Sequence, residues 1–296
     1  MHFAKLAAPL ALAGLVAASP VDKRAYAPTD ADILNYALTL EHLEATFYAL
    51  GLNMLNAGAF EDAGFADWVR YRFTEIASQE ATHVSFLTAA LTAAGAEPVA
   101  ACKYDFGITT PESYRALSQV LEGVGVAAYL GAAPLISSKA YLGVAGSILV
   151  VEAEHDTWVR SAASNQDAFP GPFYPPLDLS QAYTLASAFI TSCPSSNVAL
   201  PVMAFPTFKV ETTGPYYVGQ KIVIEVPKGA KYAAFVAASG TIYQPVSAGT
   251  STITISPYAT GQSYLILTDS EAQTDAATIA GPVILEIPVA AADFTY

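Results

Sequence analysis

The sequence predicts an α+β protein in two parts, a four-helix bundle followed by an immunoglobulin-like β-sandwich. Three observations predict it. Up to about residue 194, apolar residues recur at helical spacing in long segments, as at Phe73, Ile76, Ala77, Val84, Leu87 and Leu91. After Leu200 the pattern changes to short β-branched or aromatic runs separated by Gly, Pro, Ser and Asn. Within the helical part a pair of segments repeats: a Glu followed seven residues later by Tyr, then a Glu-x-x-His.

The chain has 296 residues, 53% of them hydrophobic and 13% charged, enough to bury a sizeable core and to form two domains. Met1 to Ser19 reads as a secretory signal peptide, with a lone Lys5, an apolar run and small residues at its end. Lys23-Arg24 follows as a dibasic processing site, placing the mature N-terminus at Ala25. Net charge is −13, and removing residues 1–24, which carry three cations and one anion, takes it to −15. So acidic a surface argues against nucleic acid or an anionic membrane as partner. The expected location is outside the cell. Cys102 and Cys193 fit that compartment as one disulfide. The expected division is 1–24 leader, 25–196 helical bundle and 197–296 β-sandwich.

The elements follow in order. Thr29-Asp30 starts a first helix along Ile33, Tyr36, Ala37, Leu40, Leu43 and Phe47, with Glu41, Glu44 and Tyr48 in one line. A second helix runs from about Phe65 to Ala94 and stops before Gly95 and Pro98. Thr110-Pro111-Glu112 caps a third, in which Gly123, Gly125 and Gly131 weaken the helix and predict close approach of backbone or ligand. Pro134 interrupts it, and a fourth helix spans about Lys139 to Asn165. The stretch from Phe169 to Pro176 cannot be helical, and Ser180 caps a short fifth helix to about Thr191. Strands are expected at 205–210, 221–226, 233–237, 252–255, 264–268 and 282–287.

The repeated pair carries the chemistry. Glu152 and His155 stand one turn apart on a helix face that also carries Ile148 and Val159, as do Glu80 and His83 on the second helix. A carboxylate and an imidazole facing a dry core cost several kcal/mol unless compensated, and a metal ion uses both as ligands. The companion helices supply Glu41 with Tyr48 and Glu122 with Tyr129, two turns apart. One Glu from each of two helices and a Glu-x-x-His from each of the other two make the ligand set of a dinuclear carboxylate site. Glu44 is a rival to Glu41, but by the repeat it corresponds to Gly125, and it stands as an additional or supporting ligand. His42 points elsewhere, and Trp158 belongs to the core.

The runs from Asp30 to Glu44 and from Leu121 to Gly131, the Glu80/His83 motif and the segment from Ile148 to His155 resemble the ferritin-like domain of secreted fungal stress-response proteins related to plant desiccation-related proteins. The resemblance covers about Asp30 to Pro194. It implies a four-helix bundle holding two metal ions, iron or manganese, and reactions with O2 or peroxide and an unknown small substrate. On its pattern Glu41, Glu80, His83, Glu122, Glu152 and His155 are the metal ligands, Glu80 and Glu152 bridging. Tyr48 and Tyr129 lie beside them as hydrogen-bond donors or redox relays. Two other roles stand beside the oxidoreductase: an extracellular stress protein with a structural metal, and metal sequestration. The β-domain would then contact a cell-wall polymer or a second copy of the chain.

Overall fold

The computed structural model describes residues 27–288. The leader and the −15 mature chain therefore rest on residues outside it. Six α-helices come first, then antiparallel sheets. Helix α1 (Asp30–Met54) begins at Thr29, whose side chain accepts from Asp32 N while Asp32 returns a bond to the Thr29 N–H. Helix α3 (Asp67–Ala93) buries one stripe, Val69, Phe73, Ile76, Glu80, His83, Leu87 and Leu91. That is the spacing of an amphipathic helix, with two ligand-type residues in core positions. Helix α4 (Pro111–Ala132) starts at the Thr110 cap and passes into a 3-10 turn at Ala133–Leu135, where Pro134 ends the α-helical bonding.

Helix α5 (Lys139–Trp158) continues as a π-turn over Val159–Ala163, which buries Val159 and Arg160 together. The edge-on rings of Phe73 and Trp68 pack on Trp158, which is only partly buried.

Two short helices refine the expectation. Helix α2 (Ala57–Asp62) was not expected; it places Phe60 against Phe65, Phe73 and Tyr114. Helix α6 (Leu179–Ser187) begins at Asp178, not Ser180, because Asp178 accepts from Gln181 N and Gln181 returns a bond to the Asp178 N–H. Ser180 instead donates to Asp275. Strands β1 (Lys103–Tyr104) and β2 (Ile190–Ser192) pair beside the Cys102–Cys193 disulfide, which ties the α3–α4 connector to the end of α6.

The C-terminal part has a two-stranded sheet, β3 (Lys221–Val226) with β6 (Gly249–Thr254), and a four-stranded sheet. The latter has the order β5 (Ile242–Pro245), β4 (Tyr232–Phe235), β7 (Gly261–Thr268), β8 (Thr278–Ile287), all antiparallel. Residues 205–209 are not a strand: only Val210 bridges to Ile224, and Pro206 offers no N–H to a ladder. Strand β5 was not anticipated. Its Pro245 suits its place at the sheet edge.

Side chains alternate across β4 and β7. Ala233, Phe235, Leu265 and Leu267 join Ile222, Ile224 and Ile253 in a core between the two sheets. Ala234, Val236, Tyr264 and Ile266 join the helical core instead. The four-stranded sheet is thus buried on both faces. This also explains α4: Pro111–Leu135 is apolar and long enough to cross a membrane by composition, yet 67% of its most apolar window is buried, between the other helices and the sheet.

Candidate metal centre

Helices α1 and α4 run antiparallel through the bundle, and the seven-residue Glu–Tyr spacing makes them exchange partners. Tyr129 of α4 donates to Glu41 Oε1 of α1, and Tyr48 of α1 donates to Glu122 Oε1 of α4. Tyr48 also meets Ser118 Oγ at 2.7 Å. Each tyrosine holds one carboxylate oxygen, and the second oxygen turns inward.

There the two Glu-x-x-His motifs meet them. His83 Nδ1 lies 3.2 Å from Glu41 Oε2, 3.4 Å from Glu80 Oε2 and 3.4 Å from Glu152 Oε1. His155 Nδ1 lies 3.0 Å from Glu80 Oε1 and 3.3 Å from Glu122 Oε2. The donors fall into two groups, Glu41, Glu80, His83 and Glu152, and Glu80, Glu122, Glu152 and His155, each with its ligand atoms within 4.8 Å of one another. Glu80 and Glu152 belong to both.

All six residues are buried, the four carboxylates completely. Both oxygens of Glu80, both of Glu152, Glu122 Oε2 and His155 Nδ1 have no hydrogen-bond partner. Burial disfavours every charge here, and the groups answer differently. Glu80 sits between both imidazoles, whose nearby positive charges overcome the burial and hold it down at about 2. Burial pushes Glu41 up to about 8 against the opposing hydrogen bond with His83. Burial also raises Glu122 and Glu152.

Sequence reasoning missed Gln79, whose Oε1 lies 2.6 Å from His155 Nε2. It accepts the Nε2–H and so leaves Nδ1 as the nitrogen facing the carboxylates. His42 takes no part, its Nε2 lying 3.1 Å from Val99 O. The three glycines of α4 each admit a close neighbour. A Cβ at Gly131 would lie 1.6 Å from Leu177 O, at Gly123 2.6 Å from Gln262 Nε2, and at Gly125 2.6 Å from Glu152 Oε2. The sheet reaches the site's back through Gly123 and its neighbour: Tyr264 donates to Gly123 O at 2.8 Å and Gln262 to Val120 O at 3.0 Å.

The two donor groups could each hold a metal ion. The family model described as "Ferritin-like domain" matches residues 29–165. Residues 29–165 are therefore similar to a ferritin-like domain, as the resemblance implied. The chain is similar to Protein rds1 of Schizosaccharomyces pombe (strain 972), 27% identical over 179 residues. That match covers 60% of this chain and 43% of rds1, so the chain spans less than half the length of that relative. Among solved structures, a conserved hypothetical protein, rv2844, from Mycobacterium tuberculosis is similar with a TM-score of 0.39 and 17% identity, over 48% of this chain and 96% of that one. A likeness so distant carries no argument about the site.

Proposed function

We propose that the protein is a secreted oxidoreductase that holds two ions of iron or manganese and acts with O2 or peroxide on a small substrate. The observation that carries this reading is the set of buried ligand atoms without hydrogen-bond partners on Glu80, Glu122, Glu152 and His155. Each such group costs about 1–3 kcal/mol when left unmatched, and more when charged. Two cations match them all at once. Four carboxylates and two imidazoles suit hard to borderline ions such as manganese and iron.

Glu80 and Glu152, common to both donor groups, would be shared by two ions, with Glu41 and His83 available to one and Glu122 and His155 to the other. When bound, the ion pair supplies redox equivalents and open positions for oxygen or peroxide. The chain's own part is orientation. Tyr129 and Tyr48 fix the terminal carboxylates through one oxygen and leave the other for metal. Gln79 fixes the His155 tautomer. The surrounding core, including Phe47, Phe73 and Val124, keeps bulk water away. The leader sequence and the Cys102–Cys193 bridge fit an extracellular location.

Complete burial of the carboxylates also suits an ion that only braces the bundle, in an extracellular stress protein. One experiment separates the two. The purified protein is analysed for metal, loaded with Fe(II) or Mn(II), and its optical spectrum recorded with and without peroxide. The oxidoreductase reading expects two ions per chain and a peroxide-dependent spectrum, both lost in Glu80→Ala and Glu152→Ala. Two ions with no response to oxidant supports the structural role, and no binding of either metal overturns both readings.

A further inference from the structure

Resting on that reading of the centre, we propose that Glu44 is a seventh donor, which makes the two metal positions chemically unequal. The internal repeat exposes the asymmetry. Matching Glu41 to Glu122 and Tyr48 to Tyr129 matches Glu44 to Gly125. Were the two halves true copies, a carboxylate would stand at both places. The structure instead uses the missing side chain as space. A Cβ at Gly125 would lie 2.6 Å from Glu152 Oε2 and 3.0 Å from Glu44 Oε1, so both carboxylate tips occupy the gap on α4.

Glu44 is 4% exposed, and its Oε1 lies in the same gap beside Gly125 as Glu152 Oε2. The charged groups acting on it are Glu152, Glu80, Glu41 and Glu122, all carboxylates. A packing role would set this acid beside Glu152 and Glu80 with no cation among them, a setting that disfavours its charged form. A cation in the adjoining donor groups offsets it directly. Charge counting agrees: four carboxylates balance two divalent ions, and a fifth balances a further positive charge. The repeat offers that fifth carboxylate from α1 only, so the two ions cannot have the same surroundings.

The test is equilibrium binding of Mn(II) to the whole protein against a competing chelator, with the oxygen donors per ion counted by X-ray absorption. The proteins compared are the natural chain, Glu44→Gln and Gly125→Ala. The natural chain is expected to take two ions of unequal affinity. Glu44→Gln should weaken one of them by about 10- to 100-fold and lower the mean oxygen count. Gly125→Ala should do the same by pressing on the two carboxylate tips, which are flexible ends able to shift.

Melting in excess chelator controls for folding: Glu44→Gln, which removes a buried acid, should melt no lower than the natural chain. A lower melting point would mean that the fold itself uses Glu44, and would overturn the proposal. Two ions bound alike by all three proteins would overturn it too, while leaving the dinuclear reading intact. A natural chain that binds no Mn(II) would instead overturn that reading, and this proposal with it.

Discussion

His83 and His155 decide what the centre must release before an ion enters. Burial alone would lower both, but the carboxylates of Glu152, Glu41 and Glu80 beside it raise His83 to about 12, and those of Glu122 and Glu80 raise His155 to about 11. Both exceed the unfolded value, so in metal-free protein their stabilising contribution is complete below about pH 6.5 and is lost as pH rises through 11 to 12. A metal needs the neutral imidazole, so loading expels a proton from each histidine and tightens as pH rises. Calorimetry of Mn(II) binding in buffers of different ionisation enthalpy should show this proton release. Gln79→Leu should weaken loading by about 10- to 100-fold, because His155 then loses the acceptor that fixes its ring.

The six side chains that the structure gathers were legible because acids and imidazoles at core positions of amphipathic helices break the apolar pattern, and did so twice in the same order. Gln79 left no such mark. It lies one residue, a 100° turn, away from Glu80, and a glutamine at a helix edge is common.

Among the elements, α4 shows how spacing in a sequence becomes contact. Its glycines predicted close approach, and the structure gives each a different neighbour: a ligand pair at Gly125, a sheet side chain at Gly123 and backbone at Gly131. The last is the least forgiving. Leu177 O is a backbone atom whose neighbouring N–H is bonded to Ala127 O of α4, so it cannot swing aside. Gly131→Ala should therefore cost about 3 kcal/mol or more, read from urea denaturation.

The starts of α1 and α4 were visible because Thr29 and Thr110 cap them by local bonding. Helix α2 was not, since six residues with one buried aromatic have no period to detect. At α6 the sequence pointed to Ser180 as the cap, and the structure uses Asp178, two residues earlier. Tertiary contact chose between them, engaging Ser180 with Asp275 and leaving Asp178 to the helix.

At the scale of the whole molecule, the change of pattern near Leu200 located where helices give way to strands but did not reveal that the sheet is shared. The signal lay in Tyr264-Leu265-Ile266-Leu267, an apolar run without polar alternation, and in the structure all eight residues of β7 are buried. Such a strand is covered on both sides. A polar clamp reinforces the junction: Arg160, 1% exposed, donates to Glu286 of β8 at 2.7 and 3.1 Å and to Asp167 O at 2.9 Å. Glu286→Ala leaves that guanidinium buried beside fewer acceptors and should cost about 3 kcal/mol. A chain ending at residue 200 should bind the dye ANS and lack a sharp melting transition, because it exposes the helical surface that covers Ala234, Val236, Tyr264 and Ile266.

The shared residues have one more consequence. Glu80 comes from the first Glu-x-x-His helix and Glu152 from the second, and each donor group includes both. Each group therefore draws on both halves of the chain. The largely exposed connector at 105–109 joins those halves, while Cys102, just before it, is bonded to Cys193 in the second half. A proteolytic nick in the connector would leave two fragments still leashed by sulfur, and thiol reductants would then govern whether the nicked protein keeps its metal.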